Sequence, residues 1–355
     1  MKFLIKLLSY FAYGFMPLYA ISANDSAAYI IQFKDAVKEL AGGPSRSYLK
    51  ELIGYEKCEG ESALIGGAFK PNLTAGASTA LASITNRYTY DVIAAGGVAT
   101  AEELSGALLT RNDTGVFQRT QVLPVQIDVG CWKEMAEKAF LALSDPTSRE
   151  MRNFMQGYFT KQDLAIINAM FASTTTRVTG TAASAVTTGT VAMPATQILN
   201  DSSLATMDYK VFSAITEKFM TQYMTGQRIY AGFGPKAWKA LVDNSGDKLL
   251  NQDYVKDAGR FESGQLPEVL GCTPVVHPLF ENTTLNTNIS TGDGELGLIC
   301  AWTEDGMTWA EFMAQTSLME IESAAFKGQS VALVKEFSNA CRNDDLQVVQ
   351  GAIVA

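Results

Sequence analysis

Residues 145–172 read DPTSREMRNFMQGYFTKQDLAIINAMFA, the longest helical pattern in the chain. Asp145-Pro146 stops whatever precedes it, because proline cannot continue a helix or a central strand. Thr147 and Glu150, three residues apart, form a capping box: the hydroxyl takes one orphan amide and the carboxylate reaches back to another. Apolar side chains then recur at helical spacing, at Met151, Phe154, Met155, Tyr158, Phe159, Ala165, Ile166, Ala169 and Met170, while Lys161, Gln162 and Asp163 fall off that stripe. The expectation is one amphipathic helix over residues 147–172, a rod of ~37 Å at ~1.5 Å per residue. A rod of that length, in a sequence with no evident catalytic constellation, points to a scaffold rather than a pocket.

Outward from this helix the elements become short. Residues 27–41 read as a helix that ends at Gly42-Gly43-Pro44. Residues 60 to about 115 are rich in Gly, Ala, Ser and Thr and carry one strand-like run, RYTYDV (87–92); a second, FQRTQVLPVQIDV (117–129), begins within the stretch 61–127. Pro124 interrupts the second run, which suits an edge or a bulge. The stretch reads as a long two-stranded excursion. An isolated hairpin is marginal in water, so it should lie against another copy of the chain. Residues 131–143 (CWKEMAEKAFLAL) read as a helix, 173–192 as a Thr-rich β-ribbon or loop, and 206–224 as a helix capped by Thr206 or Asp208. A strand at 228–231, a helix at 235–242 with Pro235 in its first turn, and a strand at 271–277 follow. Three strands, LGLICAW, QSVALVKEF and LQVVQGAIVA, close the chain.

Composition narrows the function. Of 355 residues 47% are hydrophobic and 18% charged, with a net charge of −9. Without a Lys/Arg run, the chain lacks the electrostatic grip by which proteins clasp nucleic acid. Five dispersed cysteines, Cys58, Cys131, Cys272, Cys300 and Cys341, include no C-x-x-C pair, so buried reduced thiols are expected rather than a disulfide framework or a zinc site. His277 is the one histidine. It rules out a multi-histidine metal site and reads as a strand-end residue rather than a general base. Gly232-Phe-Gly-Pro-Lys-Ala237 matches G-x-G-x-x-A between a strand and a helix. Pro235 removes an amide that a phosphate would use, and no βαβ unit is evident around it, so a plain helix start is the better reading. Glu102-Glu103 and Asp344-Asp345 are adjacent rather than opposed and read as solvated surface. Asp243, Asn244, Asp247, Asn251 and Asp253 offer oxygen ligands without EF-hand spacing. No catalytic, cofactor or metal residue is assigned.

The N-terminal MKFLIKLLSYFAYGFMPLYAISA looks like a secretory signal, with Lys2 and Lys6 before an apolar centre and small residues at its end. The rest of the chain speaks instead for a leader or arm upstream of the true start.

The order of arm, hairpin excursion, long helix, mixed α/β region and returning strands resembles the major capsid proteins of tailed bacteriophages, which share the HK97-like fold. Four blocks carry the resemblance: DPTSREMRNFMQGYFTKQDLAIINAMFAST, RIYAGFGPKAWKALV, DYVKDAGRFESGQLPEVLGCTPVVHPLF and the closing DDLQVVQGAIVA. The resemblance implies an α+β chain with a leader at 1–23, an N-terminal arm at 24–60 and an extended hairpin loop at 61–127. It further implies a peripheral domain at 128–205 holding the spine helix, an axial domain at 206–300 and returning strands at 301–355. It implies pentamers and hexamers of an icosahedral shell around phage double-stranded DNA, in a virion assembled in the host cytoplasm. The partners would be other copies, scaffold and portal proteins, and DNA held without sequence specificity. No cofactor and no stable membrane association are implied. Thr147, Glu150, Phe154, Tyr158, Gly42, Gly43, Pro124 and Trp238 are the candidates for assembly and its support. Part of the helix stripe would pack under a neighbour's hairpin, and Gly42-Gly43 with the glycines from Gly60 to Gly106 would hinge. A secreted or cell-surface structural protein and an encapsulin-type compartment shell are the rival readings.

Overall fold

The computed structural model describes residues 23–42, 48–60, 62–65, 116–134, 143, 145, 147–181, 187–199, 207–221, 227–249, 268–281, 295–320 and 329–354. Gly43, the run at 87–92, Glu102-Glu103 and most of the hairpin excursion lie outside them. The described residues form an α+β chain of four helices and thirteen strands. The helices are α1 (Ala23–Gly42), α2 (Arg149–Phe171), α3 (Tyr209–Thr221) and α4 (Pro235–Leu249). The strands are β1 (Gly54–Lys57), β2 (Ala63–Ile65), β3 (Val116–Val122), β4 (Val125–Glu134), β5 (Thr174–Thr181), β6 (Thr187–Ala192), β7 (Ile198–Leu199), β8 (Ile229–Phe233), β9 (Cys272–Val276), β10 (Glu295–Thr303), β11 (Met307–Glu320), β12 (Gln329–Arg342) and β13 (Val348–Val354).

Three sheets result, with strand orders β1-β11-β12-β4, β7-β13-β10-β8-β9 and β2-β3-β5-β6. Two compact units share the chain. One holds residues 1–48, 125–163 and 313–338, the other residues 49–124, 164–312 and 339–355. In the first, β12 pairs antiparallel with β4 from Gln329↔Glu134 to Ser338↔Val125. Residues 131–134 are therefore strand rather than the expected start of a helix: the long β12 offers CWKE a complete ladder, and that pairing overrides local propensity. Pro124 immediately precedes β4, the outer strand of its sheet, where a missing donor is tolerated.

In the second unit the five-stranded sheet carries the core. Ile229, Ala231 and Phe233 alternate onto one face, with Ile299 and Ala301 of β10 and Val349 and Ile353 of β13. Against this face pack Val211, Phe212, Ile215 and Phe219 of α3 and Ala237 and Leu241 of α4. The spacing of the α3 residues is the 3–4 residue period of a one-sided helix. Asp208 caps α3, its Oδ1 accepting from the Lys210 amide at 2.8 Å. Trp238 of α4 stacks on Phe233 at 6.4 Å, an anchor rather than a ligand. The opposite face is apolar too: Tyr230 stacks on Trp302 at 5.8 Å, and Leu298, Cys300 and Trp302 are fully buried. The Thr-rich ribbon expected over 173–192 is β5 paired antiparallel with β6, from Thr174↔Ala192 to Thr179↔Thr187. β2 pairs with β3 from Ala63↔Val122 to Ile65↔Thr120, joining the two ends of the expected excursion. The strand β11 was not foreseen.

Candidate functional site

The long helix starts differently from the capping box expected at Thr147 and Glu150. The Thr147 amide and hydroxyl both donate to Asp145 Oδ1, at 2.8 and 2.6 Å. These bonds hold the exposed Asp145 carboxyl below its ordinary pKa. With that hydroxyl consumed, Ser148 takes over as cap: its Oγ accepts from the Met151 amide at 3.1 Å. Glu150 therefore sits one position too early to close the box, though still in the first turn, where a carboxylate favours the helix dipole. Such a cap is worth about 1 kcal/mol. Full burial of Met151, Met155, Ile166, Ile167, Met170 and Phe171 contributes about 1.5–3 kcal/mol for each side chain. Packing, not capping, holds the rod.

In the first unit, the middle of α2 is bound through a single carboxylate. Glu336 of β12 is 1% exposed. Its Oε2 accepts from Gln162 Nε2 at 3.0 Å and from the Tyr158 hydroxyl, and its Oε1 accepts from the Ser338 hydroxyl. Gln162 and Asp163, expected off the helix stripe, are buried. Gln162 lies one turn beyond Tyr158 and shares its partner, which is why a polar residue sits on the apolar face. Nearby, Phe154 meets Phe33 of α1 edge-on at 6.2 Å.

In the second unit, the C-terminal end of α2 is held by charge. Asp345, expected on the surface with Asp344, is buried between two arginines. Arg177 Nη2 lies 2.7 Å from its Oδ2, and Arg342 Nε lies 3.0 Å from its Oδ1. Arg342 Nη1 also donates to the carbonyls of Met170 and Ala172. Two cations face one carboxylate, and the negative end of the α2 dipole offsets part of the excess. Burial pulls the Arg342 pKa down, opposed chiefly by Asp345. Arg177 Nη1 donates to Thr120 Oγ1 at 3.0 Å and to the Asn343 carbonyl at 2.7 Å, and the Thr120 hydroxyl donates to the Arg342 carbonyl at 2.9 Å. The cluster thus locks β3, β5 and β12 to the helix end. Sequence reading missed it, since Arg177 and Asp345 are far apart in the chain.

The exposed surface carries apolar residues of both units: Leu123 at 60% and Val125 at 49% flank Pro124, and Leu64, Met313 and Leu318 are also open. Among the described strands β6 is the outer strand of its sheet, and its residues 188–192 are all exposed. It holds neither charge nor proline, the usual guards of an edge. Leu270 is the one described non-glycine residue at positive φ, +49°, followed by Gly271 at +81°. Two hydrogen bonds of 2.9 Å between Val269 and Cys272 close this two-residue turn, and the Thr216 hydroxyl fastens the Leu270 carbonyl at 2.9 Å. Such turns favour Asn, Asp or Gly. A leucine pays strain here and still presents its side chain to solvent, beside a shallow groove lined by Ser213, Glu217 and Met220.

The motifs that suggested chemistry are occupied by the protein itself. β8, α4 and β9 do form a strand–helix–strand unit, with β8 and β9 parallel, contrary to expectation. A Cβ on Gly232 would come within 2.5 Å of the Phe280 ring, and one on Gly234 within 2.5 Å of Glu281 Cγ. The Glu281 carboxylate accepts from the Lys236 amide at 2.9 Å, filling the helix terminus where a phosphate would sit. His277 Nδ1 accepts from the Leu279 amide at 3.3 Å, as a strand-end residue does. All five cysteines are free. Burial pushes the Cys272 thiol up to about 11 and the Cys341 thiol up to about 12, the reverse of an activated nucleophile. Of the candidate calcium ligands, Asn244 uses its amide on the Met207 carbonyl at 3.1 Å, and Asn251 and Asp253 lie outside the described residues. Gly42 ends α1. No helix among the described residues is long and apolar enough to cross a membrane.

Compared by sequence, the chain matches no family model and no curated protein. Compared by structure, it is similar to the capsid of Ralstonia phage GP4, with a TM-score of 0.54 at 12% identity over 89% of this chain and 93% of that one. The fold is the HK97-like capsid fold. The capsids of cyanophages Pam1 and P-SCSP1u agree, each with a TM-score of 0.50, at 11% and 10% identity. They match 87% of this chain and 92% and 88% of theirs. In this HK97-like chain α2 is the spine helix, held through Glu336 in one unit and through Asp345 in the other.

Proposed function

We propose that the chain is the major capsid protein of a bacteriophage, assembling with its own copies into pentamers and hexamers of an icosahedral shell around double-stranded DNA. The likeness to the GP4 capsid, over 89% of this chain and 93% of that one, carries this reading. The residues support it. Among the described residues, Glu281, His277, Asp345 and Glu336 serve structural contacts, while apolar side chains and a strand edge without charge or proline face outward. Interfaces of obligate assemblies bury on the order of 2,000–5,000 Å², and closed symmetry makes many such contacts fail only together. A net charge of −9 suits a lining that does not trap DNA during filling.

On this reading the extended loop at 61–127, rooted in β2 and β3, overlaps a neighbour. The peripheral domain spans 128–205 and the axial domain 206–300. Scaffold and portal proteins assist in the host cytoplasm. The protein works by association, without a chemical step. Its test is electron microscopy of the purified, concentrated protein: closed particles of uniform diameter are expected, and a population of single subunits at every concentration would overturn the reading.

A further inference from the structure

Arg342, Gln350 and Gln197 are each 0% exposed, and Arg342 and Gln350 converge at the C-terminal end of the spine helix. The Met170 carbonyl accepts from Gln350 Nε2 at 2.5 Å and from Arg342 Nη1 at 3.3 Å, so both side chains end at one oxygen. Gln197 immediately precedes Ile198, which pairs in register with Gln350. The same segment is tied to the helix end where the Met193 amide donates to the Ser173 carbonyl at 3.0 Å.

Every other polar atom of Arg342 and Gln350 has a partner, but Arg342 Nη2 and Gln350 Oε1 meet none, and neither amide atom of Gln197 is met. Turning the Gln350 amide around offers no cure, since it would set Oε1 against the Met170 carbonyl, acceptor against acceptor. Nearly all buried polar groups in folded proteins are satisfied, by protein or by ordered water.

The chemistry of the unmet atoms selects the ligand. Arg342 Nη2 needs an acceptor, and Gln350 Oε1 needs a donor. A chloride-like anion could take the guanidinium but could give nothing to Gln350 Oε1. A metal ion could take the oxygens but would be repelled by Arg342. One small molecule both accepts and donates. We infer that the protein encloses a structural water site between Arg342 Nη2 and Gln350 Oε1, the two unmet atoms beside the Met170 carbonyl. The water supplies the third hydrogen-bond direction of Arg342 without altering the charge balance set by Asp345, and it joins β12 and β13 beneath the last turn of the spine helix. Buried waters of this kind average about three hydrogen bonds. The inference rests on the fold alone and holds whether or not the chain builds a shell.

The experiment is a density map of the full-length protein at a resolution that shows ordered solvent. A peak at ~2.6–3.2 Å from both Arg342 Nη2 and Gln350 Oε1 is expected. Gln350→Met, which keeps the length and removes the acceptor, should lose it. Three results overturn the inference: no peak, with the two atoms bonded to protein groups; an anomalous signal at the peak after chloride is exchanged for bromide; or a peak unchanged in Gln350→Met. If that variant does not fold, the wild-type map and the bromide exchange decide.

Discussion

The spine helix is held by two buried polar clusters built on opposite plans. Around Glu336 one carboxylate gathers neutral donors, Tyr158, Gln162 and Ser338. Around Asp345 one carboxylate stands between two guanidinium groups, and Arg342 also donates to the carbonyls of Met170 and Ala172. The first plan tolerates the loss of a partner, because what remains is a carboxylate with other donors. The second does not, because removing the acid leaves two buried cations facing each other.

That contrast is measurable, and the largest effect should come from the acid. Asp345→Ala is expected to cost about 3–5 kcal/mol in denaturant unfolding, the cost of stranding a buried charge. Should Glu336→Gln cost as much, the two clusters would not differ in plan. The neutral cluster has a smaller expected cost: Tyr158→Phe should lose about 1.5–3 kcal/mol, the value of a hydrogen bond to a charged group, read from the same unfolding curves. Smaller again and opposite in sign is Leu270→Asn. It should stabilise the isolated subunit by about 1 kcal/mol by relieving the positive-φ position. If the exposed leucine serves association, the same variant should assemble less readily in light scattering.

The smallest effects concern the thiols. Cys272 and Cys341 have folded pKa values raised by burial. Their protonated form therefore matters once the unfolded thiols begin to ionise, above pH ~8.5. Stability is fully present below that pH and falls as pH rises toward about 11 for Cys272. Labelling with a thiol reagent at neutral pH should reach the half-buried Cys131 first and the buried thiols only with unfolding.

What could be read from sequence was whatever is decided within a few residues. The spine helix, α1, α3 with its Asp208 cap, Pro235 in the first turn of α4, and the Thr-rich ribbon all announce themselves by period or punctuation. The misreadings share one cause, a partner distant in the chain. Gln162 looked like a solvent residue because Glu336 lies 174 positions away. Asp345 looked solvated because Arg177 is not its neighbour in sequence. CWKE looked helical because β12, its strand partner, comes two hundred residues later in the chain. The cap misreading is the exception: Thr147 and Ser148 offer the same hydroxyl, and only Asp145 chooses between them. The outward apolar residues carried no sequence signal at all, because a leucine bound for an interface looks like one bound for the core.

By lodging a carboxylate at the start of α4, the chain carries a resident counterfeit of a phosphate group. A strand–helix–strand unit with glycines at its turn would otherwise advertise a berth for nucleotides, which abound in any cell. With the berth already taken, an incoming phosphate would have to displace the Glu281 carboxylate to reach the Lys236 amide.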